Sequence, residues 1–570
     1  MRECIANLLC IGAAQECTYK KGQFVSSIFL VPKKNSEYRF ILNLKQLNKF
    51  IEPQHFKLED IRSVLSLISK RCYMGSLDLK DAYYHIPIHK DYRKYLRFTF
   101  EDKLYEFNCL PFGLCTAPYV FTKLMKPVIG HLRKNGITSV IYLDDLWCKG
   151  LSHENCKTNL LYSESLFKAL GFTINYEKSA MNPSMRVTYL GHILDSKKFV
   201  ISLPSQKIKS ALYKLKTLLQ LKTFSIRFLA EVIGTLVSCK YAIPYGQLHT
   251  RILERVKIKK LKLFDGSFDA KMSFSSHSVC KKEISWWIKA LDNAYCSIRT
   301  DEYSITIFTD ASLTGWGATA NGNKTHGWWN LEEQKLHINE LELLAILYGL
   351  KSLCRSYRNS QILVRSDNTT AIAYINRQGG TKFLNLHKRA TQIWNWCENQ
   401  NNWIFATYIA SRDNTIADSE SRVLETGLEW ELNDYAFREI CIAFGKPDID
   451  LFATKSNSKC SKYASWLPDP GSMFIDAFTI SWTDLWFYAF PPFSLVNRVI
   501  RKIINDRAKG IIVVPKWPMQ PWYPEFERLT VGNRIEFLPD HNLLLSSLRK
   551  PHPLCQHLTL VAAQLSAAHL

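Results

Sequence analysis

The chain has 570 residues, 46% of them apolar and 22% charged, the composition of a folded multidomain protein and not of a disordered one. Its 74 lysines and arginines against 51 aspartates and glutamates leave a formal net charge of +23, which favours a polyanionic partner such as nucleic acid. No run of about 18 apolar residues exists, so a spanning helix is excluded and no membrane partner is expected.

The 16 cysteines are scattered, with no CxxC pair and no zinc spacing, which reads as reduced thiols in an intracellular protein, cytoplasmic or nuclear. The first twenty residues are too interrupted in their apolar part for a secretory signal. SSIFLVPKK and YRFILNL (25–44) predict two strands joined by a polar turn. LEDIRSVLSLISK (58–70) has helical spacing, CYMGSLDLK (72–80) reads as a strand, and APYVFTKLMKPVIGHLRK (117–134) as a helix. TSVIYLDDLWCK (138–149) predicts two short strands meeting at an acidic turn. Residues 205–262 hold 13 Lys/Arg against 2 Asp/Glu and read as helical. A second αβ unit spans 303 to about 423, a third runs from Phe444 to about 530, and 540–570 carries a modest helical pattern.

Asp78, between Leu77 and Leu79, and the pair Asp144-Asp145, between apolar strands, are costly places for unpaired charge. Crowded carboxylates raise one another's pKa unless a cation neutralises them. Three carboxylates converging from two hairpins would hold two Mg²⁺ ions, or Mn²⁺, the arrangement that serves phosphoryl transfer.

The string Tyr142-Leu143-Asp144-Asp145, with LDLKDAYY upstream, LPFGLCTAP (110–118) between, and VPKKNSEYRFILNLKQLN (31–48) before them, resembles a reverse transcriptase. FKLEDIRSVL, LKDAYYHIPI, RKYLRFTF, GFTINYEKS and TYLGHIL are similar to the enzyme of DIRS-type, tyrosine-recombinase retrotransposons over about residues 20–535. The resemblance implies metal binding and catalysis by Asp78, Asp144 and Asp145. It implies contacts of Arg39 and of Lys33 or Lys34 with the incoming deoxynucleoside triphosphate, and a sugar gate at Tyr83. Phe112 stands where many retroviral enzymes carry glutamine, and Tyr189, Leu190, Gly191 and His192 match the primer grip. Residues 205–262 then read as a thumb whose Lys207, Lys209, Lys214, Lys216, Lys222 and Arg227 track duplex phosphates. The resemblance begins close to Met1, so a short leading part of the fingers is expected.

TIFTDAS places Asp310 at the end of a strand, and LHINELELLAILYGL (336–350) predicts an amphipathic helix with Glu340 and Glu342. Asp367 falls where a strand gives way to a helix, and Asp418 falls in a helix. This pattern resembles RNase H, which implies a four-acid Mg²⁺ site of Asp310, Glu342, Asp367 and Asp418 acting on RNA:DNA hybrids. Glu342 is preferred over Glu340 because ELLAI follows it. The loop YIASRDN lacks the histidine common in retroviral versions, which implies either slower turnover or substitution by Arg412. PDIDLFATKSNSKCSKYASW (447–466), FYAFPPFSLVNRVIRKI (487–503) and GIIVVPKWPMQPWY (510–523) resemble Dam-like adenine methyltransferases, but Phe490 begins the tetrapeptide Phe490-Pro491-Pro492-Phe493 where that family has Asp or Asn.

The expected fold class is mixed α+β and α/β multidomain. A right-hand polymerase has fingers and palm at 1–202 and thumb and connection at 203–300. An RNase H-like fold covers 301–425, a degenerate methyltransferase-like αβ segment 440–535, and a tail 536–570. The expected function is RNA-directed DNA synthesis with cleavage of RNA in hybrids. The partners are an RNA template, a DNA primer and a separate recombinase for integration; the alternative is a non-catalytic nucleic-acid-binding relic.

Overall fold

The structure, a computed structural model, describes residues 1–32, 38–275, 278–423, 430–546 and 549–568. Among them no helix is long and apolar enough to cross a membrane. The chain forms two compact units, 1–246 with 271–300, and 247–270 with 301–570.

After a leading helix (Arg2–Cys10) and a short strand (Ala14–Glu16), the first unit forms an antiparallel hairpin, β1 (Ile28–Pro32) and β2 (Tyr38–Leu42), over a core of Phe40, Leu42, Phe98 and Phe107. Its central sheet is built from β3 (Tyr73–Asp78), and its covering helix α1 is Ala117–Lys134. The hairpin β4 (Ser139–Tyr142) and β5 (Asp145–Gly150), helix α2 (His153–Ala169) and β6 (Ala180–Ser184) complete it, in the order β4-β5-β3-β6. Phe121, Met125 and Ile129 of α1 and Leu160 and Phe167 of α2 pack on Leu77 and Leu146 of one face, Met74, Val140 and Trp147 of the other face are buried too, and the acids sit at the strand ends.

A second sheet follows, of β7 (Arg186–Tyr189), β8 (His192–Asp195) and β9 (Val200–Ser202). The β7–β8 hairpin turns on Leu190 and Gly191, both at positive φ (46° and 71°), the backbone of a two-residue I′ turn. Helices α3 (Ser205–Gln220) and α4 (Ile226–Cys239) bury Leu215, Leu218, Leu229, Val232 and Leu236, as their spacing dictates. The next helix, α5 (Gly246–Leu263), belongs from Gln247 onward to the second unit, so the expected 203–300 segment is divided. The chain then returns to the first unit with α6 (Val279–Ala290) and β10 (Tyr295–Ser297), which extends the sheet beside β9.

Lys207 does not reach out for phosphate. Its Nζ donates to the carbonyls of Gly191 (3.2 Å) and Ser238 (2.9 Å), so it pins the β7–β8 turn to the end of α4. Lys214 donates to Thr235 Oγ1, whereas Lys209, Lys216 and Lys222 are exposed. His192 is 4% exposed, and burial together with the Lys207 charge holds its imidazole down to about 4.

The second unit carries a five-stranded sheet of β11 (Ile305–Ala311), β12 (Gly315–Ala320), β13 (Asn323–Trp328), β14 (Gln361–Ser366) and β15 (Trp403–Tyr408). Their order is β13-β12-β11-β14-β15, antiparallel through the first three and parallel from β11 to β15. Helix α7 (Ile338–Leu353) comes between β13 and β14. Helices α8 (Thr369–Asn376) and α9 (Leu384–Asn399) come between β14 and β15, and α10 (Thr415–Ser421) follows. The sequence predicts an amphipathic α7, but every residue from Glu340 to Leu350 is buried, because the sheet covers one side and α9 another. Helix α10 lies against Gly317 so closely that a Cβ there would sit 2.3 Å from the Ala417 carbonyl oxygen and 2.5 Å from the Ser421 nitrogen.

The rest of the unit is a seven-stranded sheet behind α11 (Asp434–Phe444). Its strands are β16 (Ile449–Asp450), β17 (Lys462–Ser465), β18 (Phe474–Ile475), β19 (Phe487–Ala489), β20 (Lys509–Pro515), β21 (Ile535–Phe537) and β22 (Leu560–Ser566), with α12 (Val496–Asn505) between β19 and β20. The order is β18-β17-β16-β19-β20-β22-β21, and only β22 runs against its neighbours. Apolar clusters cover both faces, the first around Trp482, Phe487, Ile500 and Phe526, the second around Tyr488, Ile511, Val513 and Leu560. The helical tail expected from 540 onward is therefore corrected: Leu560–Ser566 is an interior strand. Buried on both faces, it shows a continuous apolar run with no period of two to give it away. The two layers of this unit meet through the Lys455–Glu333 ion pair (2.9 Å), with the ammonium 4.5 Å from the Tyr348 ring centre.

Gly317→Ala is expected to destabilise the protein by about 1–3 kcal/mol through overpacking. Gly234→Ala, in an exposed helix position with open space around it, should be neutral or stabilising by up to about 1 kcal/mol. Denaturant midpoints of the two variants check the contrast. His192 is held neutral below its unfolded pKa, so its contribution is complete above about pH 6.5 and is lost as pH falls toward 4. His192→Asn should therefore narrow the gap between the wild-type midpoints at pH 7 and pH 4.5; an unchanged gap would contradict the buried neutral imidazole.

Candidate functional site

In the first unit, antiparallel register sets Asp78 directly opposite Asp145, one residue past the Leu143-Asp144 turn. Leu143 takes φ 54°, a left-handed position that costs a leucine on the order of 1–2 kcal/mol and holds the acidic turn tight. Burial, and then the charges of Asp144 and Asp78, push the Asp145 pKa up. Asp144 is raised by burial and by Asp78, while the charges of Lys178 and Arg39 pull it down. Arg39 stands exposed on β2; Lys33 and Lys34 lie outside the described residues. The backbone of Asp78 is fixed by its N–H donating to Ser179 Oγ (2.9 Å).

Tyr83 packs against Phe112 (5.0 Å between ring centres) and Phe121 (5.5 Å), and burial followed by the Asp144 charge pushes its phenol up to about 12. Phe112 thus props Tyr83 by packing alone. Tyr189 is buried, and its hydroxyl donates to the Asp145 carbonyl (2.9 Å), which ties the β7–β8 hairpin to the acidic strand. The sequence reading did not single out Lys178 and Ser179. They belong to GFTINYEKS, which reaches the site only through long-range pairing, such as the Leu79–Ile174 bridge, that local pattern does not reveal.

In the second unit, Asp310, Glu342 and Asp367 each offer an oxygen, and these lie within 4.8 Å of one another. Glu342 and not Glu340 joins the cluster; Glu340 accepts from Asn385 (3.3 Å). Burial, then Asp310 and Asp367, push Glu342 up to about 9, and its buried Oε2 has no hydrogen-bond partner. Asp310 is raised by burial but accepts from Ser421 Oγ (2.7 Å). Asp418 stands outside the three-acid group, its carboxylate paired with Arg422 one helical turn on (2.7 Å). Ser411, beside the expected Arg412, donates to Asp367 Oδ2 (2.5 Å), while Arg412 is exposed next to Asp413. Three converging carboxylates with an orphaned buried oxygen fit a divalent cation.

In the C-terminal sheet, Phe490 follows directly on the carboxyl end of β19, next to β16. Phe493 contacts Phe490 (6.3 Å), Trp517 (5.3 Å) and His552 (5.9 Å). Asp450, at the end of β16, is 2% exposed and accepts from the backbone N–H groups of Phe452 and Lys459.

Residues 31–194 match the family Reverse transcriptase (RNA-dependent DNA polymerase). An enzymatic polyprotein of Cassava vein mosaic virus is 24% identical over 390 residues, covering 65% of this chain and 57% of that protein. The Transposon Tf2-3 polyprotein of Schizosaccharomyces pombe is 27% identical over 172 residues, 30% of this chain and 13% of the relative. The chain thus spans a little over half of the first of these relatives and a small part of the second. A foamy viral protease-reverse transcriptase, solved in complex with dsDNA, aligns with a TM-score of 0.45 at 19% identity over 72% of this chain and 82% of that one. The chain carries, over residues 31–194, a reverse transcriptase domain related to those of retroelement polyproteins.

Proposed function

We propose that the chain is an RNA-directed DNA polymerase with ribonuclease H activity, copying retrotransposon RNA into DNA and degrading the RNA of the hybrid. The observation that carries the polymerase reading is the pairing of Asp78 with Asp145 beside the Asp144 turn, inside the segment that matches the reverse transcriptase family. In both sites, bound Mg²⁺ or Mn²⁺ supplies activation of the attacking oxygen and stabilisation of the leaving one. Asp78, Asp144 and Asp145 would hold it in the first unit, and Asp310, Glu342 and Asp367 in the second, with Asp418 at the margin.

The protein's own groups do the rest. Arg39 offers a guanidinium to triphosphate oxygens, and Lys178 adds a cation on the acidic side of the sheet. Tyr83, backed by Phe112 and Phe121, presents a rigid ring under the sugar, which favours deoxynucleotides. The Tyr189–His192 hairpin, clamped by Lys207 and by the Tyr189 hydroxyl, offers a firm seat for the primer end. In the second unit, Ser421 and Ser411 orient Asp310 and Asp367. The strand order β13-β12-β11-β14-β15, with the acids at strand ends and on the buried helix, supports the RNase H reading.

The C-terminal sheet is read as a methyltransferase-like layer without methyl transfer, its attribution to DIRS-type elements resting on the sequence strings. The open parallel order supports it, since such sheets bind ligands at the carboxyl ends where strand order reverses, here between β16 and β19. Phe490 occupies that position and offers no acceptor to an adenine amino group, and the Phe493–Trp517 contact fills the space beside it. Lys455, from the loop after β16, is spent on Glu333 of the neighbouring layer, as in a structural cap.

Asp145→Asn should reduce primer extension in Mg²⁺ by more than about a hundredfold, beyond the 10–100-fold typical of partners outside the ligand shell. Duplex binding should persist; extension near the wild-type rate would overturn the polymerase assignment. Asp367→Asn should abolish release of labelled RNA fragments from an RNA:DNA hybrid and leave extension on a DNA template within about twofold, because the two acid groups lie in separate units. Loss of extension in that variant would contradict two independent sites.

A further inference from the structure

Helix α5 is the strongest unexplained charge feature in the molecule. Its sequence, GQLHTRILERVKIKKLKL, divides by use. The first half is an anchor. The Leu248 N–H donates to Gln378 Oε1 (3.3 Å), Arg251 to the Arg377 carbonyl (2.8 Å), and Arg255 to the Thr381 carbonyl (2.7 Å). Gln378, which receives this helix, is 5% exposed and takes φ 51°, so the 377–381 loop is shaped around the contact. The second half carries Lys257, Lys259, Lys260 and Lys262, none of which forms an ion pair among the described residues. Lys259 and Lys262 are exposed, one helical turn apart.

The anchoring loop continues α8, and α8 starts two residues after Asp367 of the three-acid cluster. Eight helical residues span about 12 Å. The anchoring half of α5 is therefore tied to the acid cluster by one short element, and the basic half continues the same helix. Exposed Arg377, Lys382 and Phe383 lie on the same loop, so cations and an aromatic face adjoin the helix. Four cations without acidic partners match a chain of phosphates.

We propose that α5 is the phosphate-binding arm of the second unit, holding the backbone of the RNA:DNA hybrid while the hybrid lies at Asp310, Glu342 and Asp367. This rests on the ribonuclease H reading and assigns to that site a helix that chain order alone places in the polymerase thumb. The arm holds substrate and does no chemistry.

The test uses the full chain with Lys259→Glu/Lys262→Glu, and Lys259→Gln/Lys262→Gln as a milder pair. Three quantities are read: KM and kcat for hybrid cleavage in Mg²⁺; hybrid binding in Ca²⁺ with the polymerase site saturated by a DNA:DNA template–primer; and primer extension on that duplex. The expected result is a KM for cleavage raised at least tenfold by the charge reversal and less by the glutamines, with kcat and extension within twofold. The salt dependence of hybrid binding should flatten by about two in log–log slope, as two phosphate contacts are lost. Weakened hybrid binding in variants of a chain that cleaves no hybrid would keep the arm and remove the nuclease reading. Cleavage with unchanged KM, no hybrid binding beyond the saturated polymerase site, or a loss confined to primer extension would each overturn the proposal.

Discussion

Like charge held at close quarters is the constraint on which both sites depend. Three carboxylate oxygens within 4.8 Å in the second unit, and two aspartates set directly opposite each other across a strand pair in the first, are arrangements that water would disperse. At that separation, two unit charges in an effective dielectric of about 20 repel by about 3 kcal/mol. The fold resists this with covalent and packing geometry. Antiparallel register fixes Asp78 opposite Asp145, and a wholly buried α7 delivers Glu342. The groups on hand to help are hydroxyls, with Ser421 on Asp310 and Ser411 on Asp367. Cations of the chain add to this from a distance, Lys178 and Arg39 toward Asp144 and Arg422 toward Asp310, and burial still leaves Asp145 and Glu342 raised.

The cations are distributed to match. Lys207, which the sequence assigns to duplex phosphates, is an internal fastener, and so are Lys455 and Lys459. Lys207 joins a hairpin turn to α4, Lys455 joins two layers of the second unit, and Lys459 bridges Glu431 and Asp434. Lys207 and Lys459 each exchange water for two oriented acceptors and Lys455 for one carboxylate, charge-assisted bonds stronger than neutral ones. Other lysines stay exposed, among them Lys209 and Lys216 on α3 and Lys259 and Lys262 on the second half of α5.

Local pattern made the elements that carry the acids readable. Tyr142 to Leu146 breaks an apolar run with two acids, so the hairpin and its turn were visible, as were the strand before Asp310 and the strand–helix junction at Asp367. Helix α1 follows its apolar spacing over Ala117–Lys134. What escaped was non-local. Lys178 and Ser179 matter only because a distant segment pairs beside Asp78. Asp418 looked equivalent to the other acids, but its i+4 neighbour Arg422 holds it off. The basic stretch 205–262 looked continuous, since charge density carries no sign of which core a helix packs on. Strand β22 failed for a different reason: burial on both faces erases the alternation that marks a strand.

That strand also sets an order of assembly. β22 lies between β20 and β21, yet it is made last, 45 residues after β20 ends at Pro515 and β22 begins at Leu560. At roughly 5–20 residues per second of synthesis, Ile511 to Val514 would present an open hydrogen-bonding edge to the cell for several seconds. The edge is apolar and β-branched, the kind that recruits other strands. Ribosome stalling in that interval, or a frameshift before residue 560, would leave β20 as an open edge and β21 without its partner, whereas the strands that carry Asp78 and Asp145 would already be made. Closure of this sheet thus waits on a segment remote in sequence from either acid cluster.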